Sequence, residues 1–388
     1  MARTMKILIA PDSFKESLDA PAAARAIAAG LRQGLPGAAG VCLPVADGGE
    51  GTARTLVEAT GGRLVKMTVT GPLGDPVLAH YGLLGDGEVA VIEMAAASGL
   101  ALVPPDRRDP AAATSFGSGE LIRHALDAGV REIILGLGGS ATNDAGAGMI
   151  QALGAQLLDT DGWPVGQGGG QLDRVARVDT GNLDARLKEC RFRVACDVDN
   201  PLTGPRGASR VYGPQKGADA VLVERLDANL AHYGALLEQI SGRDLVNRPG
   251  AGAAGGLAVS LLAFCDATLE PGIDLVLSAL DFDRHLAEAD LVITGEGRFD
   301  AQSAHGKAVM GVAARAARHR VPVVVLAGSL GPGYEALLGK TIRAAFACVP
   351  GICSLDEALA NAATNLTALA RNVAAVLALP VLQKEYEG

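Results

Sequence analysis

The chain has 388 residues, of which 49% are hydrophobic and only 3% aromatic, with a formal net charge of −9 and a mean hydropathy of +0.25. Such length and apolarity exclude disorder and exceed a single core, so two domains are expected. The acidity and the shortage of stacking side chains exclude nucleic acid and anionic membrane surfaces as partners, and no apolar run spans a bilayer.

Residues 6–10 (KILIA) predict a compact strand that empties into the loop PDSFKES, after which Asp19 caps an alanine-rich helix. The apolar run before that loop is too short for a signal peptide, so a cytoplasmic location is expected. Residues 41–45 predict a second strand, running into ADGGEGT and a helix stopped by Gly61 and Gly62. Polar loops thus follow both strand ends, the edge where open α/β sheets hold ligands.

From residue 63 the pattern lengthens and alternates over 64–70, 78–84 and 88–93, which predicts antiparallel strands. Residues 131–137 predict a buried strand that opens into the glycine-rich stretch 136–149 (GLGGSATNDAGAGM), with a helix over 145–153 and Asn143 and Asp144 as candidate N-caps. A loop of this kind lets backbone N–H groups approach a phosphate or carboxylate closely. Its Gly136-x-Gly138-x-x-Ala141 spacing and the later Gly250-x-Gly252-x-x-Gly255 both fit a loose dinucleotide fingerprint, but neither lies in a clear βαβ unit. Residues 191–197 predict a strand ending at Asp197. The following stretch 200–217 holds Arg206, Arg210 and Lys216 and no carboxylate, which suggests either an anion site or a solvated basic loop. Helices are expected over 221–240 and 257–267.

After Pro271 and Gly272 the opening rhythm returns. A strand over 290–294 enters GEGRFD, and a helix over 306–319, strands over 321–327 and 342–348 and a helix over 355–377 follow. Residues 1–62 and 285–388 are therefore expected to form one doubly wound parallel-sheet α/β domain, interrupted by a second α/β domain with a mixed sheet over 63–284. The six cysteines include no Cys-x-x-Cys pair, and the dispersed histidines offer no metal spacing. No Gly-x-Ser-x-Gly elbow and no Walker A loop stand out.

Phosphoryl transfer needs donors around the moving group, a divalent ion and an acceptor for the alcohol proton. Lys15, Lys216 and Lys307 are loop or helix-start cations; Asp47, Asp197, Glu296 and Asp300 are carboxylates at strand ends; Ser140, Thr142 and Asn143 flank the glycine loop. Any one of these carboxylates alone is more often a helix cap or a surface charge, and their repeated placement after strands is what points to a site.

The blocks IAPDSFKESL (from Ile9), PVADGGEGT (from Pro44), EMAAASGL (from Glu93), the loop at Gly136, ACDVDNPL (from Ala195), GPQKG (from Gly213), PGAGAAGG (from Pro249) and ITGEGR (from Ile293) resemble the bacterial glycerate kinase family over nearly the whole chain. The resemblance implies ATP-dependent phosphorylation of glycerate with Mg²⁺, commonly at the 2-hydroxyl, and a flavodoxin-like domain interrupted by a second α/β domain. One departure is Ala145, where the family pattern usually has glycine; if that position needs a positive φ, alanine costs about 1 kcal/mol or more.

Position and chemistry then suggest roles. Gly138, Gly139, Ser140, Asn143 and Lys216 are expected to hold ATP; Ser13, Asn200, Glu296 and Lys307 the substrate; Asp47 and Glu296 the Mg²⁺. Lys15, Asp47 and Asp197 are the expected catalytic groups, with Asp197 taking the hydroxyl proton and the domains closing over the reactants. A kinase for another small hydroxy acid would keep every loop and change only pocket contacts. A non-catalytic nucleotide sensor would not need this many carboxylates and lysines. Oligomeric state is not legible from the residues.

Overall fold

Short aliphatic runs ending in glycine-containing loops form the strands, and alanine-rich stretches form many of the helices. The computed structural model describes residues 4–304 and 308–379 and divides into two compact units. One takes in the described residues up to Asp47, Glu58–Thr60 and those from Ile273 onward; the other takes in Gly48–Val57 and Gly61–Gly272. Most of the helix Thr52–Thr60 goes with the second unit because the Glu93 carboxylate accepts from the amides of Gly51 (3.2 Å) and Ala53 (2.7 Å) at its start. The helix Phe282–Leu286 goes with the first unit, where Asp283 pairs with Arg315 and His319.

The first unit is built on a five-stranded parallel sheet in the order Ile342–Ala347, Val323–Ala327, Leu291–Thr294, Lys6–Ile9, Ala39–Cys42. Counted along the chain this is the flavodoxin-like order 2-1-3-4-5. Its inner strands Leu291–Thr294 and Val323–Ala327 are buried at every residue, as strands covered by helices on both faces must be. The helices Ala20–Gly34 and Ala362–Leu377 pack closely, since a Cβ on Gly30 would come within 2.3 Å of the Thr367 carbonyl oxygen. The expected single helix over 355–377 is instead two, Leu355–Ala360 and Ala362–Leu377, because the chain leaves helical geometry at Asn361. The first of them starts on a capping box between Ser354 and Glu357.

The second unit holds a six-stranded mixed sheet in the order Thr268–Glu270, Arg191–Ala195, Glu132–Gly136, Val89–Glu93, Pro76–Leu83, Arg63–Thr70. The last three strands in that order are joined antiparallel and the rest parallel. Tyr81, Phe192 and Tyr233 are the largest side chains of a mainly aliphatic core there. Among the described residues no helix is long and apolar enough to cross a membrane.

Candidate active site

The order of the five-stranded sheet reverses between Lys6–Ile9 and Leu291–Thr294, and the chain leaves both strands at their carboxyl ends. Doubly wound sheets open a crevice there. The amide of Asp12 donates to the Gly295 carbonyl (2.8 Å) and Thr294 Oγ1 donates to the Ala10 carbonyl (2.7 Å), which fixes the two exit loops side by side. Around them lies a cavity of about 490 Å³ whose lining includes Asp12, Ser13, Lys15, Asp47, Glu296 and Arg298. Glu296 is buried and its Oε1 accepts from Ser303 Oγ at 2.6 Å. Asp47 and Lys15 are exposed.

Burial pushes the Asp12 carboxyl up to about 7, the Ser13 amide at 2.6 Å opposes this, and the charges of Asp47 and Glu296 raise it further. Asp47 and Glu296 thus both stand within electrostatic reach of Asp12. Among the described residues no group of three or more His, Cys, Asp or Glu side chains is gathered tightly enough to hold an ion alone. Such a donor set fits Mg²⁺, which takes one or two carboxylates and completes its shell with phosphate oxygens and water.

The glycine loop belongs to the second unit. Its helix is shorter than expected, Ala147–Ala152, and Gly146, not Asn143 or Asp144, is the N-cap residue. Asp144 nonetheless serves the helix start: fully buried, it accepts from the amides of Gly146 and Gly148 (each 3.2 Å) and from the amide and hydroxyl of Ser115 (2.9 and 2.8 Å). Burial pushes its carboxyl up, against the lowering by Ser115 and the two glycine amides. Ala145 takes φ +50 with no exposed surface, so the one departure from the family pattern falls on a left-handed position.

Gly138 and Gly139 are exposed, and their amides donate no hydrogen bond among the described residues. Ser140 is buried, and Asn143 is wholly buried with Nδ2 donating to Ser209 Oγ at 2.9 Å and Oδ1 without a partner. Lys216 stands 2% exposed behind the loop, its Nζ donating to Ser140 Oγ (2.8 Å) and to the Thr142 carbonyl (2.7 Å). Burial lowers its ammonium to about 7, with Asp144 opposing. The second glycine run is the loop's backing, since a Cβ on Gly255 would lie 2.1 Å from the Thr142 carbonyl oxygen. That fingerprint match is a packing device.

Two other sequence expectations meet internal partners. Asn200 donates from Nδ2 to the Arg206 carbonyl (2.8 Å) and accepts at Oδ1 from Tyr212 (2.7 Å), so its amide organises its own loop. Within the basic stretch, Arg206 pairs with Asp199 and Arg210 with Glu224 and Asp227, so carboxylates from neighbouring segments supply the counter-charge. Asp197 is exposed, with Oδ1 accepting from the Gly272 amide at 2.9 Å. Lys307 lies outside the described residues. The first unit's cavity therefore brings together Ser13, Lys15, Asp47 and Glu296; the second unit joins Ser140 to Lys216. Sequence reasoning passed over Asp12, although it follows the first strand by the same rule that singled out Asp47.

A parallel sheet of flavodoxin-like order with acids and a lysine at its switch point, and a second unit with an open glycine loop, supply the groups that an α/β small-molecule kinase needs. The profile of the Glycerate kinase family matches residues 7–378, and the chain belongs to that family. It is 54% identical over 375 residues to a glycerate kinase of Bacillus subtilis (strain 168), covering 97% of this chain and 98% of the relative. It is 51% identical over 375 residues to the glycerate 2-kinase of Escherichia coli (strain K12), covering 97% and 98%. A crystal structure from Salmonella typhimurium LT2, assigned as glycerate kinase 2, superposes with a TM-score of 0.90 at 54% identity, covering 97% of this chain and 98% of that one.

Proposed function

We propose that this chain transfers the γ-phosphoryl group of ATP to glycerate, at the 2-hydroxyl, giving 2-phosphoglycerate. Near full-length identity of about half to glycerate kinases carries the reading. The chemistry of the residues supports it. The unengaged amides of Gly138 and Gly139 suit phosphate oxygens, with Ser140 beside them and Lys216 and Asn143 holding the loop from behind. In the first unit's cavity, Ser13 and Glu296 suit the hydroxyls of a small acid, and Lys15 suits its charge or that of the moving phosphoryl.

Asp47 and Glu296 are the residues that would hold Mg²⁺, which when bound would neutralise charge developing on the phosphates. The hydroxyl proton must pass to a carboxylate, and Asp197 and Asp12 are the two proposed: Asp197 as an exposed strand-end acid, Asp12 as the half-buried acid at the sheet's switch point. Coupled ADP release over a panel of small hydroxy acids tests the function, glycerate being the expected best acceptor. Preference for another acid, or no ADP with any acceptor, would contradict it.

A further inference from the structure

Glycerate is an anion, yet the cavity at the switch point carries Asp12, Asp47 and Glu296, so whatever receives a carboxylate there must be a fixed cation set against that field. Lys15 is one lining cation, on an exposed loop position. Among the described residues Arg298 is the other, and it is held differently. It belongs to the two-residue strand Arg298–Phe299, which pairs in parallel with Ser329–Leu330, and Phe299 beside it is wholly buried. Its Nε pairs with Asp300 Oδ2 at 2.8 Å, and the Asp300 side chain is 13% exposed. Asp300 is itself tied down, accepting from the Gln302 amide at 2.9 Å and donating its own amide to Ser303 Oγ at 3.2 Å. Gly331 leaves the room for this pair, since a Cβ there would lie 2.7 Å from Asp300 Cβ and 3.0 Å from Arg298 Nε.

The guanidinium is therefore held by one ion pair at Nε, while neither Nη group donates a hydrogen bond among the described residues. A planar fork fixed at one edge and open at the other matches a carboxylate bidentately, which a lysine cannot do. We propose that Arg298 receives the carboxylate of the hydroxy-acid substrate and that Asp300 is a positioning residue for it; this rests on the kinase reading above. Nothing else about Arg298 asks for an arginine, since an ion pair two residues apart whose guanidinium is exposed to water adds little stability.

The test measures steady-state kinetics of Arg298→Lys, Arg298→Ala and Asp300→Asn on the full chain. Loss of a charge-assisted fork predicts a rise of about 10- to 100-fold in the glycerate KM for Arg298→Ala. Arg298→Lys should recover only part of it, Asp300→Asn should fall between Arg298→Lys and the native chain, and the ATP KM should stay within about twofold throughout. A glycerate KM unchanged in both arginine variants, or one that rises in step with the ATP KM, would overturn the proposal. Absence of ADP release from the native chain with glycerate would instead overturn the kinase reading beneath it.

Discussion

Burial beside Asp47 and Glu296 keeps Asp12 protonated up to about pH 7, against an ordinary value of 3.8. Below 3.8 both folded and unfolded chains hold that proton; between 3.8 and about 7 only the folded chain does, so its contribution to stability is lost as pH rises through this window. Asp12→Asn should accordingly gain stability over the native chain at pH 8 and not at pH 4, as read from urea midpoints; an equal gap at both would contradict the burial argument. The proton acceptor is decided by kinetics. Whichever of Asp12→Asn and Asp197→Asn removes the base should lower kcat by about 10²- to 10⁴-fold with ATP binding retained. If both variants keep near-normal kcat, neither carboxylate takes the proton. Ala145 supplies a third residue-scale test. Relieving its left-handed backbone with glycine returns about 1–2 kcal/mol, while a lost buried methyl costs about 0.8 kcal/mol and the freed backbone about 0.5–1 kcal/mol. Ala145→Gly should therefore change stability by less than about 1 kcal/mol, measured by denaturant titration.

The glycine loop is an element in which sequence and structure divide the information. Its place between the strand Glu132–Gly136 and a helix was legible from composition, as was its open backbone at Gly138 and Gly139. What composition hides is which polar residues turn inward: Thr142 and Asn143 read like Ser140 as groups flanking a ligand loop, and Asp144 as a helix cap, yet all three are wholly buried. Their partners, Ser209, Ser115 and Ala254, lie far away in sequence, and no local pattern announces them. The same holds for the basic stretch, whose positive charge is met by Glu224 and Asp227 on the next helix. By contrast the β-loop-α rhythm at both chain ends depends only on local periodicity, and it placed Lys6–Ile9 and Leu291–Thr294 in one sheet, where the structure pairs them.

Two variants probe the loop. Gly138 lacks a positive φ, and a Cβ there meets only Gly49 Cα at an ordinary 3.7 Å, so Gly138→Val tests phosphate approach without backbone strain. It should raise the ATP KM well above any change in the glycerate KM; unchanged nucleotide affinity would remove the loop from the site. Lys216→Met removes an ammonium lowered from 10.5 to about 7. Between those values the unfolded chain binds the extra proton, so the native chain should gain stability relative to Lys216→Met as pH rises from 7 to 9. A stability difference that does not move with pH would mean that Lys216 is charged in the fold.

For the whole molecule, the net charge of −9 means that the global field repels both ATP and a small organic acid. The proposed sites rely instead on locally placed donors: open amides in one unit, and Lys15 and Arg298 in the other. High salt should then weaken binding less than for a protein that attracts its ligands through its overall charge. The most direct test of the account is ADP release by the purified chain with D-glycerate, ATP and Mg²⁺, followed by phosphorus NMR of the product. The account predicts glycerate-dependent ADP production and a 2-phosphoglycerate resonance. ADP release that does not depend on glycerate, or a product phosphorylated at the 3-position, would contradict it.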